Sequence, residues 1–159
     1  MEIIIVAAVS ENNIIGNKGK LPWNIPEELS FFKELTSDYP VIMGKNTFTS
    51  LEKPLANRNN YVLSRTKEPF IAYNGYCIVN SFTNIYQLIK KDKFSKVFII
   101  GGCEVYKEAM EDADKLIISR IEGNYDGDKF FPLIDKNIWL IESVEKRAKF
   151  KIEIYERKL

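Results

Sequence analysis

The sequence predicts an α/β fold with a central mixed, mostly parallel sheet of about eight strands, about four flanking helices and a C-terminal antiparallel hairpin. The apolar run at 3–9 (IIIVAAV) does not alternate with polar residues, which is typical of a strand covered on both faces. Further short apolar runs alternate with helix-like stretches, as βαβ crossovers require. Residues 139–146 and 150–156 alternate apolar with polar side chains, which indicates a hairpin with one face in water.

The helices and strands follow one another along the chain. Residues 26–36 predict the first helix, because Pro26 suits the first helical position and acidic residues follow it in the first turn. Shorter helices are predicted at 46–51, 83–91 and 104–111. Strands are predicted at 41–43, 61–63, 76–79, 97–100 and 116–118. The segment 10–24 is predicted to be a long loop after the carboxyl end of the first strand, where lids over ligand sites are often found.

Size and charge limit the classes of function. A chain of 159 residues is predicted to form one domain, 1–159. Its 23 basic and 22 acidic residues give a net charge of +1, so the basic excess typical of a nucleic-acid-binding protein is missing. The longest apolar run is far shorter than the roughly 20 residues of a membrane span. We therefore expect a cytoplasmic protein that binds neither nucleic acid nor membrane.

Histidine is absent from the chain, which excludes Ser-His-Asp catalysis, Cys-His catalysis and histidine metal sites. The two cysteines, Cys77 and Cys103, form no CxxC motif and are expected to be reduced and buried. An enzyme built from this chain therefore depends on carboxylates, hydroxyls, backbone groups and a borrowed cofactor, without a bound metal.

Glu28, Phe32 and Leu35 are spaced i, i+4 and i+7 along the first predicted helix. Glu28 therefore lies on the apolar stripe of that helix. A carboxyl that faces a desolvated cleft has a raised pKa and can hold a proton near neutral pH. The alternative interpretation is that Glu28 only complements the positive end of the helix dipole. Helix geometry alone leaves both interpretations open.

Two further features suit anionic ligands. Gly101 and Gly102 connect a predicted strand to a helix, a geometry that lets backbone N–H groups approach a phosphate. Lys45 and Arg65 each follow the end of a predicted strand, and Arg58 can hold a carboxylate by two parallel hydrogen bonds. The alternatives are a tight turn for the glycine pair and solvated surface charges for the basic residues.

Ordered short motifs extend over essentially the whole chain. They are Ile15-Gly16, Leu21-Pro22-Trp23, Glu28, Phe31-Phe32-Lys33, the stretch 41–45 with Thr47, Pro54-Leu55, Arg58, the stretch 62–65, Ile100-Gly101-Gly102, Val105-Tyr106, Gly127-Asp128 and Phe131-Pro132. In this order and spacing they resemble the dihydrofolate reductase family. The resemblance implies a monomeric NADPH-dependent oxidoreductase that reduces 7,8-dihydrofolate to 5,6,7,8-tetrahydrofolate. Dihydrofolate and NADPH are then its small-molecule partners, and antifolates its expected inhibitors.

The resemblance also implies roles for individual residues in catalysis and substrate binding. Glu28 is expected to hydrogen-bond the amide edge of the pterin and to promote protonation at N5 through water. Ser119 and Trp23 are expected to support that network, and Leu21 to belong to a lid over the nicotinamide. The implied substrate-binding residues are Val6, Ala8, Glu28, Leu29, Phe32, Lys33, Leu51, Leu55, Arg58, Ile100, Tyr106 and Ser119.

The implied cofactor site uses the glycine pair for the pyrophosphate and the basic residues for the adenosine half. Lys45 and Arg65 are expected to favour the 2′-phosphate of NADPH over NADH. The implied NADPH-binding residues are Ala8, Ile15, Gly16, Asn17, Gly19, Lys20, Gly44, Lys45, Asn46, Thr47, Leu63, Ser64, Arg65, Asn80, Ile100, Gly101, Gly102, Cys103, Glu104, Val105 and Tyr106.

The sequence departs from the family pattern at a few positions. Glu28 stands where most bacterial members have Asp, and the acidic Glu104 weakens the implied 2′-phosphate site. Two other functions fit the same motifs: a reductase of this fold acting on another pterin or pyrimidine intermediate, and a catalytically silent nucleotide- or folate-binding module. Glu28 with Arg58 opposes the first, because the pair matches a pterin with a glutamyl tail. Glu28, Trp23 and Ser119 together oppose the second.

Overall fold

The computed structural model describes residues 1–159 and contains eleven strands and four helices. The strands are β1 (Glu2–Ser10), β2 (Ile14–Gly16), β3 (Val41–Gly44), β4 (Asn60–Leu63), β5 (Phe70–Tyr73), β6 (Tyr76–Val79), β7 (Lys96–Ile99), β8 (Lys115–Ile121), β9 (Lys129–Phe130), β10 (Trp139–Lys146) and β11 (Phe150–Arg157). The helices are α1 (Pro26–Thr36), α2 (Lys45–Ser50), α3 (Phe82–Lys91) and α4 (Cys103–Ala109).

Nine of the strands form one central sheet in the order β10-β11-β8-β1-β7-β3-β4-β6-β5. All pairings from β8 across to β6 are parallel, whereas the pairings nearest the two edges are antiparallel. The remaining strands, β2 and β9, form a small sheet of their own. Because parallel strands end at the same side of a sheet, six strands present their carboxyl ends together, where ligands bind in open α/β sheets.

β1 lies between β8 and β7 and contributes to the cores on both faces of the sheet. Successive side chains of a strand point to opposite faces. Ile5 and Val9 therefore enter one core, and Ile4 and Val6 enter the other. This double burial explains why the run at 3–9 is continuously apolar.

Two helices cover each face of the sheet. Phe32 of α1 and Phe48 of α2 pack against the core that contains Ile4. Ile85 of α3 and Ala109 of α4 are buried in the core on the opposite face. The predicted α/β class, the mostly parallel sheet and the C-terminal hairpin are confirmed. None of the four helices is long and apolar enough to cross a membrane.

The structure contains strands that the sequence prediction omits. The central sheet has nine strands rather than about eight, because β5 adds a mostly exposed edge strand that pairs with β6 alone. The predicted loop 10–24 contains β2, which pairs with β9 rather than with the central sheet. Helix bounds differ by one or two residues; α2 begins at Lys45 and α4 ends at Ala109. The omitted strands β2, β5 and β9 have two to four residues, too few to show a period, and most of their residues are not buried.

The central position of β1 predicts the cost of truncating it. We expect Ile5→Ala to lower the free energy of unfolding by about 2–5 kcal/mol, because Ile5 is fully buried and its truncation leaves a cavity. Leu140→Ala is the control, since Leu140 of the edge strand β10 is 57% exposed, and we expect a change below about 0.5 kcal/mol. Urea unfolding measures both. Equal changes in the two variants would contradict this account of the core.

Candidate active site

The carboxyl of Glu28 and the hydroxyl of Ser119 meet where α1 crosses the central sheet. β8 places Ser119 beside Ala8 of β1, in parallel register. Glu28 lies in the first turn of α1 and is 6% exposed, and Ser119 is 2% exposed. The Ser119 hydroxyl lies close enough to the Glu28 carboxyl to influence its pKa. The structure therefore joins the predicted acid to its predicted supporting hydroxyl, away from bulk water.

The environment of Glu28 favours its protonated form. Burial raises the pKa of the carboxyl above its usual value, and the nearby Ser119 hydroxyl opposes part of the rise. Glu28 belongs to none of the ion pairs in the structure, so no cation offsets the loss of hydration. A carboxyl that only complemented the helix dipole would be solvated. Its burial favours the catalytic interpretation.

Tyr106 joins α4 to β1 at the same site. Its hydroxyl donates to the Val6 carbonyl oxygen at 2.8 Å, and its ring packs against Phe131 with centroids 5.2 Å apart. Burial raises the pKa of Tyr106, and the negative charge of Glu28 raises it further. The phenol therefore remains a neutral donor that fixes the carbonyl of Val6.

Trp23 and Leu21 occupy different environments in the loop after β2. Trp23 packs in the core with Ile4, and its ring contacts Tyr125 edge-on with centroids 5.2 Å apart. Its indole N–H is buried and has no hydrogen-bond partner, which makes it available to a ligand because buried donors are normally paired. Leu21 is 49% exposed, as a residue on the outer side of a lid would be.

Apolar side chains form a wall that continues from α1. Phe32, Leu51 and Leu55 are half-buried and pack against the same core as Trp23, as do Ala8 and Ile100. The structure thus brings most of the predicted substrate-binding residues to one face of the sheet. Leu29 and Lys33, which belong to the same helix as Phe32, are exposed.

Arg58 is half-buried beside the C-terminal end of α1. Its Nη1 donates to the Thr36 hydroxyl oxygen at 2.8 Å, and its Nε donates to the Ala56 carbonyl oxygen at 2.9 Å. Burial lowers the pKa of the guanidinium, and the nearby charge of Asp38 opposes that change. Sequence reasoning missed Thr36. The sequence does contain one signal for Thr36: it lies four residues after Phe32, on the same helix stripe as Glu28 and Phe32.

The glycine pair forms a close-packed turn between β7 and α4. The Gly101–Gly102 peptide bond is cis, and Gly101 has a φ of 135°, a conformation that favours glycine. A Cβ at either glycine would lie 3.3 Å from the Thr47 hydroxyl oxygen. The N–H groups of Gly102, Cys103 and Glu104 have no backbone acceptor. The turn therefore offers free donors with little side-chain bulk.

The predicted adenosine-binding residues lie at aligned strand ends. Gly44 of β3 is in register with Leu63 of β4, and Leu63 is in register with Val79 of β6. The residues that directly follow these three positions are consequently neighbours. They are Lys45, Asn46 and Thr47 after β3, Ser64 and Arg65 after β4, and Asn80 after β6. Neither Lys45 nor Arg65 forms an ion pair.

The predicted lid is more ordered than a plain loop. Gly16 pairs with Lys129 through the small sheet, and Asn17 pairs with Lys20 across a turn that contains Gly19. Ile15 is half-buried against the core of Ile5. Residues 14–20 therefore contact the core of the central sheet on one side and the strand Lys129–Phe130 on the other.

One departure from the family pattern, Glu104, directly follows the glycine turn, between Cys103 and Val105. Cys103 is half-buried, Val105 is buried and Glu104 is exposed at the start of α4 without an ion pair. Cys77 and Cys103 are both free, as predicted. The expectation that both are buried is wrong: each is half-buried, because β6 lies near the sheet edge and α4 begins at the surface.

Comparison with known proteins agrees with this geometry. The family model described as dihydrofolate reductase matches residues 2–157. The dihydrofolate reductase of Haemophilus influenzae is 36% identical over 147 residues, which cover 92% of this chain and 89% of the relative. The Bacillus subtilis dihydrofolate reductase is 32% identical over 163 residues, which cover 98% of this chain and 95% of the relative.

A solved structure supports the same assignment. Dihydrofolate reductase from Enterococcus faecalis, complexed with NADP(H) and RAB-propyl, superposes with a TM-score of 0.87 at 31% identity. The match covers 98% of this chain and 96% of that one. The sequence match over nearly the full length and the shared architecture lead to one conclusion: this chain belongs to the dihydrofolate reductase family.

Proposed function

We propose that this protein catalyses the NADPH-dependent reduction of 7,8-dihydrofolate to 5,6,7,8-tetrahydrofolate. The observation that carries the proposal is a single buried carboxyl, Glu28, with no cation beside it and with its pKa raised by burial. Such a group suits a pterin that must be bound by its amide edge and protonated at one nitrogen. We further propose that the protein acts as a monomer, because one chain supplies the whole candidate site, and that it is cytoplasmic.

The residues after β3, β4 and β7 fit NADPH. A side chain at either glycine would crowd Thr47, whereas the glycine pair leaves the unpaired backbone N–H groups of the turn accessible to a pyrophosphate. Lys45 and Arg65 have no carboxylate partner and would hold the 2′-phosphate. NADPH, when bound, supplies the hydride for C6 of the pterin. The protein contributes binding, orientation and one acid.

On the substrate side, Glu28 would hold the amide edge of the pterin while Ser119 keeps its carboxyl in place. The protonated form of Glu28 persists to higher pH than that of an exposed glutamate, and this makes a proton available toward N5 through water. The unpartnered indole N–H of Trp23 adds a donor to that network. Phe32, Leu51 and Leu55 would pack against the aminobenzoyl ring, and Arg58 would bind the α-carboxylate of the tail.

Replacing the carboxyl tests the proposed reaction. We expect the natural protein to oxidise NADPH when dihydrofolate is added, and Glu28→Gln to lose at least about 10²-fold in hydride transfer near neutral pH while still binding NADPH. Absorbance of NADPH in single-turnover experiments measures the rate. Glu27→Gln is the matched control, because Glu27 is the exposed neighbour on α1. Near-natural turnover in Glu28→Gln would refute the assigned role.

The same carboxyl predicts a pH dependence of stability. The pKa of Glu28 is raised in the folded protein, so the unfolded chain loses this proton at lower pH than the folded chain does. The contribution of neutral Glu28 to the free energy of unfolding is fully present below pH 4.5, the pKa of this carboxyl in the unfolded chain. It declines as the pH rises through the pKa of Glu28 in the folded protein. We expect the ligand-free Glu28→Gln variant to gain stability over the natural protein across that range in urea titrations. If the difference in the free energy of unfolding between Glu28→Gln and the natural protein did not change with pH, the raised pKa of Glu28 would be contradicted.

Cofactor choice tests the basic residues at the strand ends. We expect Arg65→Ala to narrow the preference for NADPH over NADH by about tenfold, because the variant loses one charge-assisted contact to the 2′-phosphate. Steady-state kcat/KM with each cofactor measures the ratio. Lys67→Ala removes an exposed positive charge two residues away and serves as the control. An unchanged ratio in Arg65→Ala would mean that the 2′-phosphate is held elsewhere.

A further inference from the structure

The Arg58 guanidinium is only partly occupied by the protein. A guanidinium has five N–H donors. Nε uses one on the Ala56 carbonyl oxygen, and Nη1 uses one on the Thr36 hydroxyl oxygen. The other N–H groups have no protein acceptor and are therefore free to bind an anion.

Thr36 is a buried and directional partner for Arg58. Its side chain is 0% exposed, and its hydroxyl donates to the Phe32 carbonyl oxygen at 3.0 Å, one turn earlier in α1. A hydroxyl carries a single hydrogen, so toward Arg58 the Thr36 oxygen acts only as an acceptor. The helix backbone thereby fixes the direction in which the guanidinium is held.

The segment that carries Arg58 is fixed separately, by Asn60 at the start of β4. The Asn60 amide group is 2% exposed and donates to the carbonyl oxygens of Leu55 at 2.9 Å and Arg58 at 3.0 Å. Its Oδ1 accepts from the Leu55 N–H at 3.1 Å. Because Asn60 holds the backbone, the loss of the Thr36 hydroxyl is expected to release the guanidinium without releasing the segment.

Arg58 forms no ion pair with a carboxylate, and the charge of Asp38 acts on it only from beyond ion-pair distance. Arg58 belongs to none of the ion pairs in the structure, although it is half-buried. A cation that has lost part of its hydration and has free N–H groups binds a carboxylate well, provided that its orientation is fixed.

We propose that Thr36 is a positioning residue for substrate selection: its hydroxyl orients Arg58 so that free guanidinium N–H groups face the α-carboxylate of the substrate tail. This role of Thr36 rests on the proposed reduction of dihydrofolate, because only a substrate with a glutamyl tail brings that carboxylate. Thr36 does not contact the substrate. Its influence is confined to substrates that carry the carboxylate, and it acts on KM rather than on kcat.

Two substitutions separate the hydroxyl from the shape of the side chain. Thr36→Val keeps the shape and removes the hydroxyl, whereas Thr36→Ser keeps the hydroxyl. We expect Thr36→Val to raise KM for dihydrofolate about 5- to 10-fold. The KM for 6-methyl-7,8-dihydropterin, which lacks the glutamyl tail, is expected to change less than about twofold, and so is kcat with either substrate. Thr36→Ser is expected to remain within about twofold of the natural protein for both substrates. Thr36→Ala supplies the same comparison if the valine variant does not fold.

A double-mutant cycle with Arg58→Gln tests whether the effect passes through Arg58. We expect Arg58→Gln to raise KM for dihydrofolate, and Thr36→Val to add nothing in that background, because coupled residues are non-additive. Equal KM increases for the two substrates, a serine variant as impaired as the valine variant, or additive effects would overturn the positioning role.

Measurements on the natural protein and on Arg58→Gln separate a failure of the Thr36 role from a failure of the proposed function. An unchanged KM for dihydrofolate in Arg58→Gln would overturn both the inference and the assigned role of Arg58, with the reductase activity intact. Absence of NADPH oxidation by the folded natural protein with either substrate would overturn the proposed function and the inference together.

Discussion

The parallel pairing of β1 with β7 on one side and β8 on the other is the constraint that assembles the site. It aligns the carboxyl ends of three strands, so that Ala8 and Ser119 are neighbours and the turn after β7 lies close by. α1 then packs over this part of the sheet and removes Glu28 from water. These residues are remote in sequence, and the site forms only when the sheet is complete.

Desolvation sets the chemistry of the one buried acid. A chain without histidine has no side chain whose ordinary pKa lies near neutrality, and burial of Glu28 moves a carboxyl pKa toward that range. The basic residues at the other strand ends remain unpaired and exposed. The two halves of the site thus differ in electrostatics: one suits a neutral, hydrogen-bonding pterin, and the other suits phosphates.

Buried hydroxyl and amide groups hold the flexible parts of the site in place. Tyr106 fixes the Val6 carbonyl, Thr36 orients Arg58, and Asn60 closes the segment between Leu55 and Arg58. Each group is satisfied by hydrogen bonds within the protein, so each can be buried without a large cost. The Arg58 side chain, which would otherwise sample many rotamers, is thereby presented to a ligand in one orientation.

Local patterns and motif order in the amino-acid sequence are enough to predict the α/β class, the double burial of β1, the bounds of α1 and the family. Glu28 stands out for the same reason, because it interrupts an apolar helix stripe. The hydrogen bond of Thr36 with Arg58, the small β2–β9 sheet and the edge strand β5 become visible only in the folded chain. A short strand or a buried hydroxyl has no period of its own, so its state is determined by the partner that long-range packing places beside it.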